Sequence, residues 1–206
     1  QHPWRTGRAM TLVELLLSLS TTGMVGAAIV AMLGAVSTGT GSRHDNRSAM
    51  VQAAAARSRL GSYIAPARCV LGVSGPNMTA WLEDSRESGT VHGSEIRWLR
   101  FDAAAKTISI SYVSFPDGWS QAAQNLADDE HSANSNWDNV LASYTAKGFI
   151  ETLTLMDRVD SMSIQMDDTV AQDARHLIFQ IALSSESGSL PVCVPATVSQ
   201  HEKPEQ

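Results

Sequence analysis

The sequence predicts an α+β fold, in which a long N-terminal transmembrane helix is followed by a mainly antiparallel β-sheet domain. Three observations lead to this prediction. Residues 15–36 form an apolar run without a charge. Apolar residues then recur at helical spacing as far as Ile64, two residues before Pro66. From Cys69 onward the spacing changes to alternation, which is typical of half-buried strands.

The apolar run is long enough to cross a bilayer. As a helix it would extend roughly 33 Å, at about 1.5 Å per residue, which is close to the thickness of the hydrocarbon core. Glu14 is the only charged residue between Arg8 and Arg43. A carboxylate in a span is costly unless it has a partner, stays protonated or lies near the headgroups. We therefore predict a membrane-spanning segment at residues 10–36, with Glu14 as a candidate functional residue near its start.

The helix is predicted to continue beyond the membrane through residues 37–65. Five apolar residues fall on one face of this part: Met50, Ala53, Ala56, Leu60 and Ile64. Pro66 disfavours helical backbone at the residue before it, so the helix should end there. The apolar face is the predicted seat of the globular domain.

Residues 66–200 are predicted to form that globular domain, with six to eight strands. Residues 107–115 show clear alternation, and residues 95–101 would pair with them as a hairpin. A long polar insertion, residues 116–139, contains one short predicted helix at residues 120–127. Later strands are predicted at residues 150–156, 162–166, 176–183 and 190–198. Residues 201–206 are predicted to be a polar tail.

The charge balance argues against a nucleic-acid partner. The chain has 21 acidic and 15 basic residues, a formal net charge of -6 and a pI of about 5.4. The basic residues are scattered among acids, so no basic stripe is available to displace counterions from phosphates. We therefore expect no nucleic acid among the partners.

The two cysteines, Cys69 and Cys193, are far apart in the sequence. They could form a disulfide in an oxidising compartment, or remain two buried thiols in a reducing one. Spacing alone does not show whether their Cα atoms are close enough to be bridged. Both alternatives stay open.

Residues 84–95 match a calcium-binding loop in outline. Asp84 stands at the first position, Gly89 at the sixth and Glu95 at the twelfth. Arg86, however, brings a positive charge to the third ligand position, and strands rather than helices are predicted on both sides. A polar hairpin loop is the favoured interpretation, with Asp84 and Glu95 kept as weak candidates for metal ligands. No nucleophile constellation or phosphate-binding motif stands out elsewhere, so we predict no catalytic residue and no cofactor.

The start of the helix carries a specific motif, Met10-Thr11-Leu12-Val13-Glu14-Leu15-Leu16. It resembles the prepilin-type N-terminal motif of type IV pilins and type II secretion pseudopilins. The resemblance covers residues 7–64 and implies that prepilin peptidase removes a leader, residues 1–9, by cutting between Ala9 and Met10. It also implies N-methylation of Met10, with Glu14 as the fifth residue of the mature chain.

The residue before the cut departs from the family pattern, because Ala9 stands where Gly is usual. Gly7 lies two residues earlier, but cleavage after Gly7 would place Glu14 seventh in the mature chain instead of fifth. We therefore expect cleavage between Ala9 and Met10. The resemblance further implies a partner for Glu14, namely the α-amine that cleavage exposes on a neighbouring subunit. An opposite charge favours the ionised form of a carboxylate in a medium of low dielectric.

The resemblance implies a structural role without catalysis. The later half of the chain is weakly similar to the J-type minor pseudopilins, with a hairpin near the middle and a late strand pair. We therefore expect an assembly subunit, a minor pseudopilin-like protein of a type II secretion or type IV pilus-like filament. Its partners would be prepilin peptidase, other pilins or pseudopilins packed through the N-terminal helix, and the bacterial inner membrane, with the C-terminal domain in the periplasm. The alternative is a single-pass membrane-anchored extracytoplasmic binding domain or enzyme outside any filament, in which Glu14 is incidental.

Overall fold

The predicted α+β class is confirmed. The computed structural model describes the backbone of residues 12–185 and 188–205, and the side chains of residues 12–33, 50–184 and 188–205. Helix α1 extends over Leu12–Ile64 and ends two residues before Pro66, as predicted, and a mostly antiparallel β-sheet domain follows. The chain divides into two compact units, Gln1–Arg47 and Ser48–Gln206, which are described separately below.

In its described part, the second unit contains ten strands. They are β1 (Cys69–Ser74), β2 (Asn77–Trp81), β3 (Val91–His92), β4 (Ile96–Asp102), β5 (Thr107–Val113), β6 (Glu130–His131), β7 (Ile150–Met156), β8 (Val159–Met166), β9 (His176–Ser185) and β10 (Gly188–Thr197). A five-stranded sheet has the order β1-β2-β4-β5-β7, and a three-stranded sheet has the order β10-β9-β8. The short strands β3 and β6 pair with each other. Every pairing among the described strands is antiparallel.

The predicted central hairpin is confirmed as β4 and β5, with Asp102 paired to Thr107 across the turn. The alternation predicted for β5 is also confirmed. Ile108 and Ile110 are at most 3% exposed and belong to the main core. Ser111 lies on the opposite face of the sheet, where its hydroxyl is 2.9 Å from that of Thr152 on β7.

The main core lies between one face of the five-stranded sheet, the three-stranded sheet and the end of α1. Ala56, Leu60 and Ile64 of α1 are at most 2% exposed and belong to this core. Strand residues in the same core include Val70, Met78, Leu99, Ile108, Leu155, Phe179, Ile181 and Val194. The predicted apolar face of α1 is thus confirmed at its C-terminal end, whereas Met50 is 72% exposed. Burying one large aliphatic side chain contributes roughly 1.5–3 kcal/mol, so these contacts fix the helix end to the domain.

A second core lies on the opposite face of the five-stranded sheet, under a helix that the sequence analysis did not predict. The predicted short helix is confirmed as α2 (Gln121–Ala127), but α3 (Trp137–Ala146) follows it. Trp137 and Tyr144 of α3 pack with Trp98 and other residues of the sheet. Two indole N–H groups make this packing directional, because Trp98 donates to the Trp137 carbonyl at 3.1 Å and Trp137 donates to the Leu71 carbonyl at 3.3 Å.

The segment predicted as a polar tail packs onto the domain instead. Pro204 is buried. The backbone N–H of Glu202 donates to the Arg68 carbonyl at 3.0 Å, and that of Glu205 donates to the Gly89 carbonyl at 2.7 Å. The carboxylate of Glu202 also pairs with the Arg68 guanidinium at 2.6 Å. Residues 201–205 therefore belong to the folded domain, because distant backbone groups hold them there.

Strand β10 forms one edge of the three-stranded sheet. It contains Pro191 and Pro195, which are two residues on either side of Cys193. The Cys193 carbonyl accepts a hydrogen bond of 3.4 Å from the Arg57 guanidinium of α1. Proline has no N–H and therefore cannot donate a hydrogen bond to β9. Pro191 and Pro195 thus stand at the alternate positions of β10 whose backbone groups face away from β9.

Candidate functional site

The first part of α1 is an apolar helical surface. Leu12–Leu33 is long and apolar enough to span a membrane, and none of it is buried within the structure. Its large apolar side chains are 54–77% exposed. Exposed apolar surface of this extent marks a membrane or protein contact, and here it fits a single-pass membrane anchor.

The hydroxyl side chains of this segment are satisfied within the helix. Four hydroxyl groups donate to carbonyls three or four residues earlier: Ser18 to Leu15 at 2.9 Å, Ser20 to Leu17 at 3.0 Å, Thr21 to Leu17 at 2.9 Å, and Thr22 to Ser18 at 2.7 Å. A hydroxyl that already has a backbone partner can enter an apolar environment at lower cost. The serines and threonines are therefore compatible with a span.

Glu14 lies in the first turn of α1. Near an exposed helix N-terminus, the partial positive charge of the backbone N–H groups stabilises a carboxylate by roughly 0.3–1 kcal/mol. Ala9 and Met10 lie outside the described residues. The cleavage between them, the methylation of Met10 and the contact of Glu14 with a neighbouring subunit therefore stay predictions.

Glu95, one candidate metal ligand, is turned into the protein and is fully buried. Its Oε1 accepts hydrogen bonds from the backbone N–H of Ser85 at 2.7 Å and from the Ser85 hydroxyl at 2.9 Å. Its Oε2 accepts from the Trp81 indole and from the His92 backbone N–H, each at 3.1 Å. Four donors offset the cost of burying this carboxylate, so Glu95 closes the loop that precedes it.

Asp84, the other candidate metal ligand, also accepts hydrogen bonds from the backbone of its own loop. Its two carboxylate oxygens accept from the N–H groups of Ser88 and Gly89, each at 3.0 Å. The Arg68 guanidinium lies 3.7 Å away. Among the described residues, no group of three or more His, Cys, Asp or Glu side chains is arranged to hold a metal ion. The favoured interpretation of residues 84–95 as a polar loop thus agrees with the hydrogen bonding of both carboxylates.

Asp128 is a structural residue that the sequence analysis missed, because it stands in an acidic cluster typical of a solvated loop. It is only 4% exposed. Its carboxylate pairs with Arg86 at 2.8 Å and accepts from the Ser94 hydroxyl at 2.7 Å and the Ser94 N–H at 2.9 Å. Tyr144 donates to it at 3.4 Å, and burial, together with the Asp128 charge, raises the pKa of the Tyr144 hydroxyl. Arg86, whose positive charge does not fit a calcium-binding loop, is thus the ion-pair partner of the Asp128 carboxylate.

The two cysteines are not joined. Cys69 is buried in the second core, Cys193 is exposed on β10, and both are free thiols. The disulfide considered for them is absent, because Cys69 belongs to the five-stranded sheet and lies inside the second core, whereas Cys193 belongs to the three-stranded sheet and lies at the surface. Burial raises the pKa of the Cys69 thiol to about 12, so little nucleophilic thiolate forms there at neutral pH.

The apolar surface of α1 and the acid at its start form the candidate functional site. Three of the other residues predicted from the sequence serve the fold, since Asp84 and Glu95 fix a loop and Cys69 fills a core. Comparison with protein families, with curated proteins and with solved structures gives no match for this chain.

Proposed function

We propose that this chain is a structural subunit of a membrane-assembled filament, a minor pseudopilin-like or type IV pilin-like protein. One observation carries the proposal: Leu12–Leu33 exposes an apolar helical surface, and Glu14 stands in its first turn. The prepilin-type motif around Met10 adds the expected leader and cleavage site. The proposed role requires no catalysis by this chain.

The proposed mechanism uses the same surface twice. Before assembly, Leu12–Leu33 holds the subunit in the bacterial inner membrane, with the domain on the periplasmic side. During assembly, the segment exchanges lipid for the corresponding helices of neighbouring subunits. Because its hydroxyls are bonded within the helix, neither environment leaves them without a partner.

Glu14 would set the register of that packing. Prepilin peptidase would cut between Ala9 and Met10, and the new α-amine would meet Glu14 of an adjacent subunit. A buried ion pair is strongly destabilised when one partner is removed, by about 3–5 kcal/mol, so only one axial offset between helices would be tolerated. Buried polar pairs fix the register of other helix assemblies in the same way.

The first test is the mature N-terminus. The full chain is produced in bacterial membranes with and without an active prepilin peptidase, and its intact mass is measured together with that of a known peptidase substrate. We expect a chain that begins with methylated Met10 only when the peptidase is present. Ala9→Gly should raise the processed fraction, whereas the control Gly7→Ala should leave it unchanged. An intact leader beside a fully processed control substrate would contradict the proposal.

The second test is assembly. Glu14→Ala should insert into membranes as the unmodified chain does, but its crosslinking to co-produced filament subunits should fall at least tenfold. Leu15→Ala is the matched control, because it shortens the adjacent side chain without removing a charge. Normal crosslinking of Glu14→Ala would remove the pairing role. A chain that stays unprocessed and alone in the membrane would favour the anchored extracytoplasmic domain instead.

A further inference from the structure

The paired strands β3 and β6 each carry a histidine with an enclosed nitrogen that has no partner. Among the described residues, the enclosed side-chain nitrogens without a hydrogen-bond partner are Nδ1 of His92 and Nε2 of His131. The strands pair Val91 with His131 and His92 with Glu130, so the two imidazoles face opposite sides of the ladder and do not converge on one ligand. Most buried polar groups in proteins are hydrogen-bonded, so these two nitrogens are exceptions that need a physical explanation.

The enclosed side of His131 is lined by aromatic rings of α3. The centroid of the imidazole lies 6.3 Å from that of the Trp137 ring and 6.1 Å from that of the Tyr144 ring. The Tyr144 hydroxyl is already engaged, because it accepts from the Asp129 N–H at 2.8 Å and donates to the Asp128 carboxylate at 3.4 Å. Within the described part of the chain, Nε2 of His131 therefore has no acceptor for a proton.

The acidic groups near His131 already have cationic partners of their own. Asp128 pairs with the Arg86 guanidinium at 2.8 Å, and Asp129 pairs with the Lys147 ammonium at 2.5 Å. A carboxylate that is paired in this way attracts a further positive charge less strongly. The acidic cluster next to His131 is thus largely neutralised before the imidazole binds a proton.

The balance of these effects disfavours the imidazolium form. Burial lowers the pKa of the His131 imidazole, and it outweighs the carboxylates of Asp129 and Asp128, which raise this pKa. The charges of Lys147 and His92 lower the pKa further. The closed structure therefore holds His131 as a neutral ring under conditions in which an exposed histidine begins to bind a proton.

We infer that residues 128–131, called here the latch, form a pH-sensitive closure that is fixed to the domain while His131 is neutral and is released by mild acid. A neutral ring can carry its proton on Nδ1 and leave only a lone pair on Nε2. The imidazolium has an N–H on both nitrogens, so its Nε2–H would be enclosed without an acceptor. Opening the latch gives this N–H to water. The inference goes beyond the filament role and does not depend on it, because it uses only the globular domain.

The latch connects two parts of the domain that are far apart in sequence. Asp128 holds it to Arg86 and Ser94, and the Asp129 carbonyl accepts from the Gly93 N–H at 3.3 Å. Tyr144, which is fully buried, contacts the latch through its hydroxyl. Release of the latch would therefore uncover part of the second core, and the domain would present a surface in mild acid that is covered at neutral pH.

The direction of the pH dependence follows from proton linkage. The open latch binds a proton more readily than the closed latch, because His131 is then solvated. The closed form is thus fully favoured above about pH 6.5, the ordinary pKa of histidine, and loses stability as the pH falls below that value. Between pH 7.5 and 5.5, one imidazole can raise the opening equilibrium constant by up to about tenfold. Carboxylates, whose ordinary pKa values are near 4, act mainly below this range.

Hydrogen exchange of the full chain in detergent, followed by mass spectrometry, measures this opening. After correction for the intrinsic exchange rate at each pH, we expect the protection factor of peptides that contain residues 129–131 to fall by about three- to tenfold from pH 7.5 to 5.5. Peptides from strand β5, which has no histidine, are the internal reference and should change by less than about twofold. An unchanged protection factor for the latch of the unmodified chain would overturn the inference.

Substitution of His131 is the decisive variant. His131→Gln removes the titrating ring, so the protection factor of the latch should no longer depend on pH in this range. His176→Gln is the matched control, because it removes an exposed histidine of β9, and it should keep the full dependence. His131→Phe replaces the glutamine variant if tryptophan fluorescence shows that the latter is unfolded. Equal pH dependence in His131→Gln and the unmodified chain, or its loss in His176→Gln, would also contradict the inference.

Discussion

The first part of α1 and the globular domain satisfy their polar groups in opposite ways. In Leu12–Leu33, hydroxyls such as that of Thr22 bond to carbonyls only three or four residues away. In the domain, the buried carboxylates of Glu95 and Asp128 take donors from residues up to 42 positions away. The first arrangement needs no tertiary structure, so the segment can pass from lipid to another helix unchanged. The second exists only while the domain is folded.

The same substitution should therefore change the free energy of unfolding differently in the two regions. Leucine to alanine gives the largest expected difference. Leu60→Ala removes a fully buried side chain and should lower the free energy of unfolding by about 2–5 kcal/mol. Leu16→Ala removes a side chain that is 57% exposed and should leave the free energy of unfolding unchanged. Urea unfolding of the detergent-solubilised chain, followed by tryptophan fluorescence, measures both. Equal losses would show that the first part of α1 is a structural element of the domain.

An inserted charge should have the opposite distribution of effects, with a large effect in the apolar segment and none on the unfolding of the domain. Val25→Arg places a guanidinium near the middle of the apolar segment and should disfavour membrane insertion by about 2.5–3.5 kcal/mol, without changing domain unfolding. Leu126→Arg is the control, because Leu126 is 88% exposed on α2. Carbonate extraction of membranes reports the inserted fraction of each variant. Full insertion of Val25→Arg would exclude a bilayer-spanning segment.

The buried carboxylates should be sensitive to small changes. Glu95→Gln keeps the size of the side chain but turns an amide group toward hydrogen-bond donors, which should cost about 1–3 kcal/mol of unfolding free energy. Glu87→Gln alters an exposed residue of the same loop and should change the value by less than about 0.5 kcal/mol. Equal midpoints in urea for the two variants would mean that the four bonds to Glu95 do not stabilise the loop.

The smallest effect is expected at Thr22, and Ser94 is the matching hydroxyl of the domain. Thr22→Val removes a hydroxyl whose partner lies within the same helix, and membrane insertion should change by at most about 0.5 kcal/mol. Ser94→Ala removes a donor to buried Asp128 and should cost about 1.5–3 kcal/mol of unfolding free energy. A Thr22→Val effect as large as that of Ser94→Ala would show that Thr22 has a partner beyond its own helix.

Local signals predicted much of the fold. The apolar run, the end of helix α1 before Pro66 and the alternation along β5 depend on neighbours in sequence, and each was found where expected. Helix α3 had local signals as well, since Asn136 caps it and Gly148 follows it with a positive φ of 75°. The prediction missed α3 because its apolar positions begin inside a polar insertion and continue beyond it.

The candidate site was more predictable than the buried contacts of the domain, for the same reason. Glu14 and the apolar surface follow from one continuous stretch of sequence. The burial of Asp128 depends on Arg86, 42 residues earlier, and a cluster of acidic residues gives no sign of such a partner. The docking of the chain around Glu202 likewise depends on backbone groups of Arg68, which no sequence pattern identifies.

The edge of the three-stranded sheet has a consequence for aggregation. An unpaired edge strand is a template on which further strands can add without limit. On β10, Pro191 and Pro195 remove two of the N–H groups that such addition would use, and Arg57 already occupies the carbonyl of Cys193 between them. These features of β10 should therefore limit amyloid-like growth through this strand.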